Sequence, residues 1–133
     1  MLNIKKTLTK VLDALKCDYI VEQGTDGIWT YRKWNSGIAE CWGEYSYSVT
    51  TSSVWASPIY ITTSCPRQNY PFTFVSAPME WASGMTGANA CWLYSESTGF
   101  NTTTKTAEYR PIKVNTFGST TVKVRYFVSG KWK

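Results

Sequence analysis

The groups able to do chemistry in this sequence are nine carboxylates, four cysteines and many aromatic rings, and there is no histidine. Without histidine the usual general base, the commonest neutral metal ligand and the usual pH switch are all missing, so catalysis would fall to carboxylates. These are Asp13, Asp18, Glu22, Asp26, Glu40, Glu44, Glu80, Glu96 and Glu108, and none forms a recognisable paired motif. A glycosidase needs two carboxylates several ångströms apart across a sugar. Glu40 and Glu44 on one strand face would lie roughly 13 Å apart by strand rise, too far for either standard mechanism. No Ser, Cys or Lys nucleophile has a base partner in the sequence, and the reading is that the chain is not an enzyme.

Cys17, Cys41, Cys65 and Cys91 are widely spaced, with no C-x-x-C pair. They predict free, buried thiols in a protein made in a reducing cytoplasm, with no metal site and no cofactor. The formal charge is +5 over 133 residues, but Lys5, Lys6, Lys10 and Lys16 supply four of the positive charges. The remainder is close to neutral, which argues against a dedicated nucleic-acid surface. The run Tyr31, Arg32, Lys33, Trp34 has the flavour of a single-strand binder, but later strands do not sustain it.

Binding chemistry is better served. Seven Trp and nine Tyr in so short a chain exceed ordinary usage and, with Thr and Ser crowding the middle, favour strands over helices. Gly27 to Tyr47 is the stretch that fixes its own geometry. Ile28 to Trp34 and Ile38 to Tyr47 alternate aromatic with polar residues, and Asn35-Ser36-Gly37 has the chemistry of a three-residue hairpin loop. That loop pairs Arg32 with Glu40, Thr30 with Trp42, Tyr31 with Cys41 and Trp29 with Gly43, where Gly43 is expected to leave room for the Trp29 ring. Trp29, Tyr31, Ala39, Cys41 and Tyr45 form the face expected to be buried.

Trp34, Trp42, Arg32 and Glu40 then lie on the outer face. Exposed Trp flanked by charged groups is suited to stacking and hydrogen-bonding a sugar, so these four are candidate ligand-binding residues. The competing reading covers that face with a neighbouring subunit, since aromatic residues also anchor obligate interfaces. Trp55 and Trp81, beside expected loops, are further candidates for the sugar role, with ordinary core packing as the alternative.

Along the chain, Ile4, Leu8, Val11 and Leu15 recur at helical spacing, with Leu12 beside them, and predict a short amphipathic helix ending near Cys17. It would pack on its own domain or form an oligomer seam as a coiled-coil stub. Expected strands follow at Asp18 to Gln23, the hairpin, Ile59 to Thr63, Tyr70 to Ser76 and Asn89 to Ser95. Gly24 to Gly27 is expected as a turn, Trp55 and Pro58 as strand breakers, and Ala82 to Ala88 as a connecting loop. Glu108 to Val114 and Thr120 to Val128 are expected to close the chain as a hairpin. About eight strands at this spacing predict an all-β antiparallel sandwich, jelly-roll-like, as one domain over 18–133 behind a helix over 1–17. Nothing reads as a signal peptide or as a membrane insertion, which predicts a soluble protein made in the cytoplasm.

The wording IWTYRKWNSGIAECWG over Ile28 to Gly43, with DYIVEQG just before it, resembles the carboxy-terminal segment of tail-fibre, baseplate and related virion proteins. Those proteins are encoded by phages and prophages of Gram-positive gut bacteria. The resemblance covers about twenty-five residues, and beyond them only the pattern of short strands is similar. It implies a homotrimeric head at the tip of a fibre in a virion tail, contacting other virion proteins and recognising a host surface polysaccharide or protein without chemistry of its own. A monomeric carbohydrate-binding module is the alternative function, and a carboxylate-dependent glycan-active enzyme the third.

Overall fold

The computed structural model describes residues 3–50, 52–87, 91–95 and 99–133. The chain opens with α1 (Ile4–Ala14), capped by the Asn3 side chain, which accepts a hydrogen bond from the Lys6 amide at 3.2 Å. Nine strands follow among the described residues: β1 (Ile20–Asp26), β2 (Trp29–Trp34), β3 (Ile38–Val49), β4 (Ser53–Ala56), β5 (Ile59–Ile61), β6 (Met79–Thr86), β7 (Trp92–Ser95), β8 (Tyr109–Val114) and β9 (Thr120–Lys131). They form an antiparallel sandwich of a five-stranded sheet, β1-β2-β3-β9-β6, and a four-stranded sheet, β4-β5-β8-β7.

The central hairpin has the expected register, with Arg32 opposite Glu40, Tyr31 opposite Cys41 and Trp29 opposite Gly43. Gly37 closes its loop at φ +93, a left-handed conformation that glycine adopts without Cβ strain. Trp29, Ala39 and Cys41 are buried, while Tyr31 and Tyr45 are half-buried against the core. Gly43 works differently from the expectation. A Cβ there would overlap the Ile28 carbonyl oxygen, so the glycine makes room for backbone leaving the β1–β2 turn rather than for the Trp29 ring.

β3 and β9 pair without interruption from Ile38 opposite Lys131 to Val49 opposite Thr120. Val122, Val124, Tyr126 and Val128 alternate inward along β9, all at 3% exposure or less. They meet Trp29, Cys41, Phe74 and Phe117 in a single core. The Trp29 ring sits between Tyr70 and Tyr126 at centroid distances of 5.8 and 5.6 Å, and its indole N–H donates to the Asn69 carbonyl at 2.6 Å.

Several expected elements differ. β1 starts at Ile20, and Asp18 before it instead accepts hydrogen bonds from the Ser36 amide and hydroxyl. The strand runs through Gly24 to Asp26, so the turn is Gly27-Ile28 with Gly27 at φ +56. Trp55 belongs to β4 and does not break a strand. Tyr70 to Ser76 is irregular: Tyr70 and Phe74 turn into the core while their amides bond the Thr104 and Thr103 carbonyls. A buried plug has replaced the ladder.

Ala82 to Thr86 is strand, not connection, and β6 pairs with β9 from Met79 to Thr86. Its small residues serve close packing, since a Cβ on Gly84 would come 2.7 Å from a Leu93 methyl. Ala88, and the Asn89 and Ala90 start of the next expected strand, lie outside the described residues. β8 and β9 are not a hairpin but belong to different sheets. The link between them takes Asn115 to φ +74 and buries Phe117 under the Lys113 ammonium, which carries the chain across the sandwich. Cys17 is exposed where a buried thiol was expected, while the other three cysteines are free and buried.

Candidate functional site

Ladder parity decides what the five-stranded sheet presents outward. Trp42 on β3 is opposite Phe127 on β9, and Phe127 is opposite Trp81 on β6. The three rings therefore form one row across adjacent strands, on the side opposite Cys41, Tyr126 and Val128. Trp81 and Phe127 are 5.8 Å apart between centroids and 54% and 40% exposed. A shallow depression of about 230 Å³ beside them is lined by Trp81, Ser83, Arg125 and Phe127.

A second row lies alongside. Gln23, Arg32, Glu40, Ser129 and Met79 are successive partners across the same five strands. Arg32 is held from three sides. Its Nε donates to Glu40 at 2.7 Å, and its guanidinium carbon stands 5.3 Å from the Trp34 ring centroid and 5.4 Å from that of Trp42. On the other flank Glu44 accepts from Arg125 at 2.8 Å and from Lys123 at 3.1 Å. Those two hydrogen bonds, Arg125 first, hold the Glu44 carboxyl below its ordinary value.

Five of the six residues singled out in the sequence, Arg32, Trp34, Glu40, Trp42 and Trp81, thus share one face. Trp55 does not. It lies on β4 of the other sheet, half exposed, with its ring 5.3 Å from that of Tyr94. Neither Trp55 nor Trp81 is a core residue, because both stand on outward positions of strands rather than beside loops. Phe127 and Met79 complete the face and escaped the sequence reading. Phe127 had a signal, since it falls in step with Lys123 and Arg125 and alternates with Val122, Val124, Tyr126 and Val128.

The expected seam residues of α1 are exposed: Ile4 at 76%, Leu8 at 56%, Val11 at 48% and Leu15 at 64%. The helix touches the sandwich end through Asp13, which accepts from the Tyr19 hydroxyl at 3.1 Å and the Asn35 amide at 3.3 Å.

Glu40 and Glu44 stay four residues apart on β3, each engaged by cations. Glu80 points inward, where its two oxygens accept from the Tyr70 hydroxyl and the Ala107 amide. Burial, reinforced by that carboxylate, pushes the Tyr70 and Tyr109 hydroxyls well above their ordinary range. Among the described residues no group of three His, Cys, Asp or Glu is placed to hold a metal ion. No described helix is long and apolar enough to cross a membrane.

No family model matches the sequence, and no curated protein matches it. Among solved structures, the chain is similar in fold to an N-truncated R1-type pyocin tail fibre, with a TM-score of 0.58 at 10% identity over 92% of this chain and 94% of that one. It is also similar to a P. aeruginosa R1 pyocin fibre fragment comprising C-terminal residues 323–701, again with a TM-score of 0.58, at 12% identity over 92% of this chain. Only 31% of that longer fragment is covered. What the chain shares with these two pyocin fibre structures is the fold.

Proposed function

We propose that this chain is the non-enzymatic head of a phage-type tail fibre, a virion component that assembles as a homotrimer and recognises a polysaccharide or protein on a host cell surface. The observation that carries the reading is the outward row Trp42, Phe127 and Trp81 beside Arg32 and Glu40, on a sandwich whose fold is similar to pyocin tail fibres. Flat aromatic faces stack on the apolar faces of sugar rings, while half-exposed, already paired charges remain free to bond hydroxyls. Covering the same face with a subunit would strip water from Arg32, Glu40, Glu44, Lys123 and Arg125 together, and burial of paired charges often costs more than the pairing returns. Interface cores are accordingly poor in charge.

Assembly falls to α1 instead. Eleven residues make a marginal helix alone in water, and its apolar seam has no buried position on its own domain. Three copies winding their Ile4, Leu8, Val11 and Leu15 seams together would bury that stripe, leaving the aromatic face outward. Contact with other virion proteins belongs to the same proposal.

Two measurements test the reading, and they fail separately. Light scattering after size exclusion is expected to give three times the chain mass. A monomer at micromolar concentration would overturn the trimer and favour a stand-alone carbohydrate-binding module. Trp81→Ala is expected to abolish binding to host cells or their polysaccharide while mass and melting temperature stay unchanged. Undiminished binding would remove the aromatic row from the receptor site.

A further inference from the structure

The two outer faces of the sandwich differ in charge. Strands β4, β5, β7 and β8 contain no Asp or Glu. Of their two cations, Lys113 is buried beside the Phe117 ring and Arg110 is already engaged. Register then makes the outward side apolar. Trp92, Ile112 and Ile61 are successive partners across β7, β8 and β5, and Val114 with Ile59 forms the next row. Residues of the opposite parity, Tyr60, Lys113 and Leu93, pack inward. Beside Ile61 the face is indented by a cleft of about 320 Å³ whose walls include Ser53 and Thr63, room enough for a projecting side chain of a neighbour.

We propose that this face is a contact between copies of the chain, so that the heads of the trimer touch one another as well as being joined through α1. The inference rests on the homotrimer proposed above. Ile4 to Leu15 spans fewer than two heptads, whereas coiled coils are sustained over about three to four, so the helix needs a second contact to hold three chains together. The chain also exposes 8230 Å², about 1,100 Å² more than a folded monomer of 15.1 kDa ordinarily does, and one side of a standard interface takes about 800 Å². The α1 seam and the aromatic row account for part of that excess, and the outer face of the four-stranded sheet is the part almost without charge. Interface cores are likewise depleted of charge and enriched in Trp. A second copy fits better than a foreign partner for a geometric reason. The sheets pack inner face to inner face, so their outer faces point in opposite directions, and copies joined through the four-stranded sheet all turn Trp42, Phe127 and Trp81 outward.

The test compares two tryptophans of nearly equal exposure on the single chain, Trp92 at 58% and Trp81 at 54%. A brief hydroxyl-radical pulse is applied to the purified full chain, oxidation is read by peptide mass spectrometry, and the assembly's mass is taken by light scattering on the same sample. The mass is expected to be three times that of the chain, with Trp92 oxidised several-fold more slowly than Trp81. Trp92→Glu should raise the concentration at which the trimer dissociates at least about tenfold, the scale of a central interface tryptophan. Trp92→Phe should retain part of the affinity.

Equal oxidation of the two rings in a trimer overturns this inference without any variant having to fold, and it leaves assembly to α1 with the proposed function standing. A protected Trp92 in an assembly of two chains keeps the contact and removes the trimer. A protected Trp92 in a trimer whose Trp81→Ala variant still binds cells keeps the contact and removes the aromatic row from the receptor site. A monomer at micromolar concentration with both rings reactive overturns contact and trimer together.

Discussion

The two sheets of this sandwich are held to different tolerances. In the five-stranded sheet, β3 and β9 pair residue for residue over twelve positions, and every inward position of β9 from Val122 to Val128 is essentially closed to solvent. In the four-stranded sheet, β5 has three residues, β4 and β7 have four each, and β4 slips register beside Trp55. A long unbroken ladder lets parity alone choose which side chains face out, so its outer face is a flat row. Short strands leave that choice to loops and bulges, and what results is a cleft. One sheet offers a platform and the other a pocket because of ladder length rather than residue type.

The largest effect that can break this contrast comes from truncating one side chain in each sheet. Trp29→Ala removes a ring wedged between Tyr70 and Tyr126 and is expected to cost about 3–5 kcal/mol in denaturant unfolding. Ile61→Ala, at a half-buried outward position of β5, should cost about 1 kcal/mol, in proportion to the smaller apolar area it covers. Equal losses would mean that the sheets share one tolerance after all.

The same contrast decides how much of the fold is legible in the sequence. The Arg32–Glu40 register and the burial of Trp29 and Cys41 were legible because each rests on a two-residue period bounded by a recognisable turn. β6 was not, since Ala82, Ser83 and Gly84 look like a loop until Leu93 is seen to need the space above Gly84. Nor was the separation of β8 from β9, because a five-residue link with a glycine reads as a hairpin unless the burial of Phe117 is known. Five of the six ligand candidates were found because they sit on strands whose parity could be counted. Tyr94 went unnoticed, as its meeting with Trp55 depends on chain segments far apart in sequence.

Thiol labelling gives an intermediate and more local reading. Cys17 is exposed and should react at once in the native protein. The Cys41 thiol, at 0% exposure in β3, is pushed up to about 12 by burial, with the Glu80 charge adding to it. Cys91, just before β7 in the weaker sheet, is also raised by burial but is partly relieved by Lys113. Labelling at mildly alkaline pH should therefore proceed in the order Cys17, Cys91, Cys41, because local opening of the short strands precedes global unfolding. If mass spectrometry of the labelled peptides finds Cys41 modified before Cys91, the five-stranded sheet is not the more persistent one.

Acid should separate the sheets most gently, because it acts through carboxylates and these are unevenly shared. β4, β5, β7 and β8 contain no Asp or Glu, whereas the five-stranded sheet carries Glu22 and Glu44, each held below its ordinary value. For Glu44 the first cause is the hydrogen bond from Arg125, followed by that from Lys123, and for Glu22 it is the hydrogen bond from Lys33. A carboxyl whose folded pKa is depressed stabilises the fold fully above its unfolded value and loses that contribution as pH falls through the folded one. The pairs are solvent-facing, so each contribution is small and screened by salt. Lowering the pH from neutrality through the ordinary carboxylate range should thus perturb the indole signals of Trp42 and Trp81 before that of Trp92. Glu44→Gln should shift the first transition and leave the Trp92 signal where it was. A simultaneous change at all three indoles would show that acid unfolds the sandwich as one unit, with the ion pairs on the outer face contributing nothing of their own.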